Sequence, residues 1–283
     1  MAVRGSMKAA MQVVPTAGAR AAPPFSSSWA ERTGMPPLGL HAATAVVVDV
    51  DARAVLWDKE SHAARHPASL AKLMTVIVAL DLAPLDRQVT VPLEATQVES
   101  DSTVMGLSAG EVVTLESLMY GVFLRSGNDA AETLARALTD RAHFIDLMNR
   151  KAAALGMVDS HFTNPTGLDD PAMLTTAYDM AIAAATIVVR YSQLLPLAQA
   201  RQAVMPQAAH HKAYEMHALN RLVGTYSGAT GLKTGYTNDA GYCLVGSAQR
   251  GARHLVAVVM GDDLSLTTDT VKLLDYGFST HLT

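Results

Sequence analysis

Three short runs carry side chains suited to covalent acyl transfer, and they occur in order along the chain: Ser69-Leu70-Ala71-Lys72, Ser126-Gly127-Asn128 and Lys233-Thr234-Gly235. A serine hydroxyl is a poor nucleophile until a base takes its proton. Lysine can be that base once burial or a second cation lowers its pKa. Residues three apart on a helix share a face, so Ser69 and Lys72 are predicted to lie side by side. Lys233, on a facing strand, is the natural second cation. Ser126 can relay a proton between Lys72, Lys233 and a leaving amine. Asn128 can accept from or donate to a substrate amide, and Thr234 with Lys233 can bind a substrate carboxylate. A helix starting near Ser69 would also offer a backbone N–H and partial positive charge to a developing oxyanion.

Taken singly, the motifs are weak. With 17 Ser and 7 Lys in 283 residues, chance supplies about 0.4 Ser-x-x-Lys pairs. Alone, Ser69 reads as a cap and Lys72 as a solvated helix lysine. Joint occurrence in suitable contexts changes that reading. Ser69 follows Pro67 and opens the apolar run Leu70–Leu80, long enough for about three helical turns and extending to about Leu82. Pro67 pushes His66 out of the helical region. Lys233-Thr234-Gly235 precedes a strand-like run, Tyr242–Ala248, and a second, Arg253–Met260, turned by Gly251.

The elements that must position these residues follow from pattern. Thr44–Val50 and Ala54–Trp57 read as a hairpin. Val89-Thr90-Val91 lies in a segment punctuated by Pro84 and Pro92. A helix runs from Thr114 to about Leu124 with Glu116 in its first turn. Asn128 and Asp129 are predicted to cap a helix reaching Leu138. Residues 141–155 are helical by period and end at Gly156. Thr175–Val189 is another helix, irregular segments follow, and a last helix spans about Thr267–Tyr276. Helices in the middle and strands at both ends imply a mixed sheet built from the two ends of the chain, with a helical insertion.

Composition narrows the classes. Hydrophobic content of 49% with 17% charged residues describes a globular chain with a substantial core. A net charge of −4, without a basic patch, argues against nucleic-acid binding. The one cysteine, Cys243, reads as a buried core thiol. No His, Cys or carboxylate cluster has metal-ligand spacing, and no cofactor is expected. Asp169 and Asp170 read as a solvated turn and His161 as a structural loop histidine. Residues 1–40 are rich in Ala, Pro, Ser and Gly and read as a disordered leader or linker. Ala9–Val14 is too short for a signal-peptide core, and no run reaches transmembrane length.

The chain resembles the low-molecular-mass penicillin-binding proteins, the D-alanyl-D-alanine carboxypeptidase and endopeptidase group. The likeness covers about residues 42–280. It includes His66–Thr75, Ser126–Ala131, the middle loop Leu155-Gly156-Met157 with His161–Leu168, and Gly231–Thr237 with Ala240-Gly241-Tyr242. That resemblance implies an antiparallel sheet flanked by helices, with a helical subdomain and the site in the cleft. It implies a catalytic domain over 41–283, with a sheet subdomain at about 41–82 and 225–283 and a helical one at about 83–224. No additional C-terminal β-domain is expected. The resemblance assigns Ser69, Lys72 and Ser126 to catalysis, and Asn128, Lys233, Thr234, Gly235 and Tyr236 to substrate binding, with the Tyr236 backbone as second oxyanion donor. It implies peptidoglycan stem peptides as substrate, β-lactams as inhibitors and an extracytoplasmic location.

Two other readings compete: a class A-like β-lactamase and an inactive scaffold of the same fold. The first needs a glutamate to activate a deacylating water. No glutamate occurs between Glu132 and Glu215, and the second motif is Ser-Gly-Asn rather than Ser-Asp-Asn. The second is disfavoured by intact Ser69, Lys72, Ser126, Asn128 and Lys233. Two positions depart from the family. The stretch Leu264–Asp269 lacks the arginine that carboxypeptidases of this group often carry there, and Thr176-Ala177-Tyr178-Asp179 stands where Thr-Ala-Arg-Asp is common. Recognition of a free C-terminus is therefore in question, and endopeptidase action stays open.

Overall fold

One five-stranded sheet lies between two layers of helices in the computed structural model, which describes residues 35–280. Along the chain come β1 (Thr44–Asp49), β2 (Ala54–Lys59), α1 (Lys72–Leu82), β3 (Gln88–Thr90), β4 (Val112–Thr114), α2 (Leu115–Arg125), α3 (Asn128–Leu138), α4 (Arg141–Leu155) and α5 (Ala177–Arg190). The short α6 (Leu195–Ala198), β5 (Gln202–Met205), β6 (Tyr214–His217), β7 (Ala229–Thr237), β8 (Gly241–Arg250), β9 (Arg253–Asp262) and α7 (Leu266–Ser279) complete it. The main sheet has the order β2-β1-β9-β8-β7, and every pairing in it is antiparallel. The two ends of the chain thus build the sheet. Its antiparallel sense is the one the resemblance implies, whereas the pattern of elements alone suggests a mixed sheet. The first 34 residues of the proposed leader lie outside the described residues; Met35, Leu38 and Leu40 pack against the sheet's α7 side.

Alternation along the strands divides the core in two. Val46 and Val48 of β1, with Val256, Val258 and Met260 of β9, face the helical layer. Ala45, Val47, Leu255, Ala257 and Val259 face the opposite way, onto Leu273 and Leu274 of α7. Because both faces are covered, these strands read as unbroken apolar runs. Cys243 of β8 is fully buried on the helical side.

The helix α1 runs through the helical core, packed by α3, α4 and α5. Its residues 72–79 are all buried, so it is covered on every face rather than amphipathic, with Lys72 and Thr75 the polar residues among them. Each large aliphatic side chain so buried contributes about 1.5–3 kcal/mol.

Several boundaries differ from the pattern reading. Gly127, with no side-chain cap bond, precedes α3; the Asn128 side chain is engaged elsewhere. Thr114 and Thr176 cap α2 and α5, accepting from the Ser117 and Asp179 N–H groups. The stretch read as irregular after α5 contains α6 and the β5–β6 hairpin. The Lys-Thr-Gly motif lies inside a strand of its own, β7, directly ahead of β8, which contains the run Tyr242–Ala248.

Candidate active site

Ser69 lies in a short 3₁₀ turn, Ala68–Ala71, that leads into α1. Ala68, just before it, has φ +46°, a left-handed conformation that costs a non-glycine residue roughly 1–3 kcal/mol. The middle loop braces this bend: a Cβ at Gly167 would stand 1.8 Å from the Ala68 carbonyl oxygen. Ser69 is half-buried and open to the cleft. Lys72, one turn on, belongs to the apolar helix and is carried with it into the core, at 0% exposure. Its Nζ lies 2.7 Å from Ser69 Oγ, 2.7 Å from Asn128 Oδ1 and 2.7 Å from the Thr166 carbonyl. Burial holds its pKa well below the usual lysine value, and the nearby Lys233 lowers it further against the opposing pull of Asp129 and Glu132.

The second motif is a tight turn between α2 and α3. Ser126 adopts φ +56° and ends α2 in the left-handed region. Asn128, first residue of α3, is buried; its Oδ1 faces Lys72 and its Nδ2 donates to Ser102 Oγ at 3.1 Å. The preceding segment is tied onto this turn. Asn128 N donates to the Thr103 carbonyl, and Thr103 Oγ1 donates to the Ser126 carbonyl. The buried Asp129 carboxylate accepts from the backbone N–H groups of Met105, Gly106 and Leu107 at 2.7–2.8 Å. Segment 102–107 is thereby held against the second motif.

The third motif lies on β7, the edge strand of the sheet. Lys233 is fully buried and donates to Ser126 Oγ at 2.8 Å and to the Thr234 carbonyl at 2.6 Å. Burial pushes its amine down to about 7. Gly235 is required for close approach: a Cβ there would come within 3.0 Å of both the Ser69 backbone nitrogen and the Ala68 Cβ. β7 therefore passes directly against the turn that carries Ser69. Thr234 is half-buried, and Tyr236, 54% exposed, stacks on Tyr242 with ring centroids 4.5 Å apart.

The structure thus brings Ser69, Lys72 and Asn128 into one hydrogen-bonded group and sets the bonded pair Ser126 and Lys233 near enough to act on the Lys72 charge, with Thr234, Gly235 and Tyr236 on the same strand as Lys233. Ser126 is held by Lys233. Residues beyond the motifs complete the group. Thr166 contributes its backbone carbonyl, which no side-chain pattern encodes. Pro165 does the same for Thr75 Oγ1 at 2.7 Å. Ser102 lies in a polar loop with no periodicity, and only its contact with Asn128 singles it out. His161 is exposed and pairs with Leu174 through backbone atoms. Asp170 accepts from Ala172 N within a turn. Among the described residues, no group of three or more His, Cys, Asp or Glu could hold a metal ion, and no single helix is long and apolar enough to cross a membrane.

Comparison with known proteins agrees with this geometry. A family model described as D-alanyl-D-alanine carboxypeptidase matches residues 30–264. The chain is 32% identical over 254 residues to D-alanyl-D-alanine carboxypeptidase DacF of Bacillus subtilis, covering 87% of this chain and 64% of that protein's length. It is 35% identical over 230 residues to DacB2 of Mycobacterium tuberculosis, covering 77% of this chain and 74% of that one. The crystal structure of a D-alanyl-D-alanine carboxypeptidase from Mycobacterium tuberculosis superposes with a TM-score of 0.80 at 32% identity, covering 89% of this chain and 96% of that one. The Streptomyces K15 DD-transpeptidase superposes with a TM-score of 0.80 at 27% identity, covering 88% and 100%. Sequence, fold and the order of the motifs converge, and the chain belongs to the D-alanyl-D-alanine carboxypeptidase family.

Proposed function

We propose that this chain is a serine D,D-peptidase acting on peptidoglycan stem peptides through an acyl-enzyme, with Ser69 as nucleophile and Lys72 as its base. The proton inventory at Lys72 carries the reading. A neutral amine has two N–H bonds and one lone pair. Asn128 Oδ1 and the Thr166 carbonyl can only accept, so they take the two N–H bonds. The lone pair then faces Ser69 Oγ, 2.7 Å away. Burial, with Lys233 nearby, lowers the Lys72 pKa and so favours this neutral form.

Ser69 Oγ attacks the carbonyl of the penultimate D-alanine as its proton passes to Lys72. The oxyanion is stabilised by backbone N–H groups of Ser69 and Tyr236. Collapse breaks the C–N bond, and the departing D-alanine amine takes a proton through Ser126, which Lys233 holds in place. Water, deprotonated by Lys72, then attacks the ester and releases the shortened stem. Asn128 donates to a substrate carbonyl, and Lys233 with Thr234 receives the substrate carboxylate. Cleavage of D,D cross-links uses the same steps with a different leaving amine. Such substrates place the enzyme on the outer, cell-wall side of the membrane. The catalytic unit we assign is 41–283.

Incubation with a fluorescent penicillin tests the assignment: wild type should be labelled and Ser69→Ala should not, and equal labelling of both would refute it. The β-lactamase reading makes the opposite kinetic demand. The middle loop offers Lys72 a backbone carbonyl and no glutamate, so intact-mass measurements should show a long-lived penicilloyl-enzyme; release of many per second would favour a β-lactamase.

A further inference from the structure

A substrate that adds to the free edge of β7 has a fixed polarity. In the proposed pose its departing end lies by Lys233 and Thr234 and its scissile carbonyl by the Tyr236 N–H. The peptide before that carbonyl therefore runs on toward Thr237 and the β7–β8 turn. Side-chain faces follow from the pairing. A strand residue whose N–H faces an edge turns its C=O the same way, so the penultimate residue exchanges both bonds with Tyr236. Two L residues so paired put their side chains on one face, and the next residue along faces the other. Lys233 and Gly235 pair with Val245 and Cys243 of the helical side, and Thr234 pairs with Leu244 of the α7 side. Tyr236, opposite Tyr242, therefore belongs to the α7 face. An L residue just before the penultimate one points the other way, to the helical face, level with Thr237.

The middle loop occupies that face. Gly167 packs on Ala68, and two residues on Asp169 Oδ2 lies 3.5 Å from Asp239 N in the β7–β8 turn. Asp169 is exposed, and among the described residues its carboxylate enters no ion pair. Its charged neighbours leave it unmatched. Asp239 is exposed and unpaired too, Asp170 is turned to Ala172 N, and Arg65, bridged to Thr175, points to Gly261. We infer that Asp169 is a specificity-determining residue that receives a free ammonium on the side chain of the residue before D-Ala-D-Ala. The substrate class it selects is a stem peptide whose L-diamino acid keeps its side-chain amine out of a cross-link. This inference rests on the pose assigned to Ser69 and Tyr236 and adds a contact on the acyl side, away from the reacting atoms.

Two peptides separate this charge from the rest of the substrate. One ends in L-Lys-D-Ala-D-Ala, and the other carries the same lysine acetylated on Nε. Wild type should favour the free amine in kcat/KM by about 2- to 5-fold, the scale of a solvent-exposed ion pair. Added salt should erode the preference. Asp169→Asn should abolish it, and Asp169→Lys, which sets like charge against like, should invert it. Asp170→Asn, one residue on, should leave the wild-type ratio intact. With D-lysine in that position the side chain moves to the α7 face, and the preference should vanish.

The experiment measures kcat/KM for the free and acetylated L-lysine peptides, and for the same pair built on D-lysine, with wild type, Asp169→Asn, Asp169→Lys and Asp170→Asn at low and high salt. A preference confined to L-lysine, abolished by the asparagine variant and inverted by the lysine variant, supports the inference. A wild type indifferent to the charge, a ratio that neither Asp169 variant moves, an equal loss in Asp170→Asn, or an equal preference with D-lysine would overturn it. Absence of any Ser69-dependent release of D-alanine from both peptides would instead refute the acyl-enzyme reading itself.

Discussion

At the scale of single residues, the proposed chemistry depends on Lys72 being able to lose its proton. The Lys72→Arg variant keeps the charge, and a guanidinium stays protonated at any working pH. Penicillin acylation should fall by roughly 10² or more; stopped-flow or gel-based labelling reads this directly. An arginine variant that acylates at the wild-type rate would show that another group removes the Ser69 proton. The residues of this centre were mostly legible in the sequence, because nucleophile, base and amide must be particular side chains at particular spacings. The Thr166 carbonyl and the Ser102 contact were not. One acts through the backbone, and the other arises only from a fold that lays 102–107 across the 126–128 turn.

At the scale of elements, the middle loop is tied to the start of α5 by Asp179. Its Oδ2 accepts from Asp159 N at 3.0 Å and Ser160 Oγ at 2.7 Å, and Ser160 Oγ also meets Thr175 Oγ1 at 2.7 Å. The loop closed by this knot presents the Pro165 and Thr166 carbonyls. Burial pushes the Asp179 carboxyl up to about 6 from 3.8, with no lysine or arginine among the groups that shift it. Between those values the folded chain holds a proton that the unfolded chain has released. Stability attributable to this residue is therefore full below about pH 4 and declines as pH rises to about 6. Asp179→Asn keeps an acceptor without the charge. Urea unfolding of variant and wild type should agree near pH 4 and diverge by pH 7. The asparagine form should then be more stable by up to ~3 kcal/mol, the free energy of holding a carboxyl proton against a roughly hundredfold fall in acidity. A wild type that gains on the variant as pH rises would refute this. The α5 helix was readable from its apolar period, but this knot was not, since it joins residues that only the folded loop brings together.

At the scale of the whole molecule, the site is a seam between the helical layer and the exposed edge of the sheet. β7 leaves that edge free for an extended substrate, and Lys233 with Thr234 is the group proposed there for a terminal carboxylate. The stretch Leu264–Asp269 brings no arginine to assist. One missing charge-assisted hydrogen bond is worth about 10- to 150-fold. A peptide ending in D-Ala-D-Ala and its C-terminal amide should accordingly be cleaved with kcat/KM values within about two orders of magnitude. The Lys233 amine, at about 7, loses its charge as pH rises through that value, so KM for the acid should climb above pH 7 while KM for the amide stays level. A far larger preference for the acid, or parallel pH profiles, would mean that another cation holds the carboxylate; Arg250, held by Asp275, Tyr226 and Phe278, and Lys272, held by Asp269 and the Gly39 carbonyl, are both engaged on the α7 side of the sheet and do not supply it. The overall architecture was foreseeable because strands at both ends and helices between leave few ways to cover both faces of a sheet. The β5–β6 hairpin was not, because its strands are short and mostly exposed on one face.

Cys243 gives the molecule a built-in clock. It is the chain's one cysteine, buried at 0% exposure in the second strand from the sheet's edge, and burial raises its thiol to about 12. In the closed fold it offers an alkylating reagent neither access nor thiolate. Any iodoacetamide it consumes therefore records an excursion in which β8 comes away from its neighbours, and the trapping rate in dilute reagent reports how often the sheet parts. No label has to be engineered and no second thiol competes. A β-lactam bound across the cleft to Ser69 and β7 joins the helical layer to the sheet edge, so acylation should slow the trapping in step with the extra stability it confers.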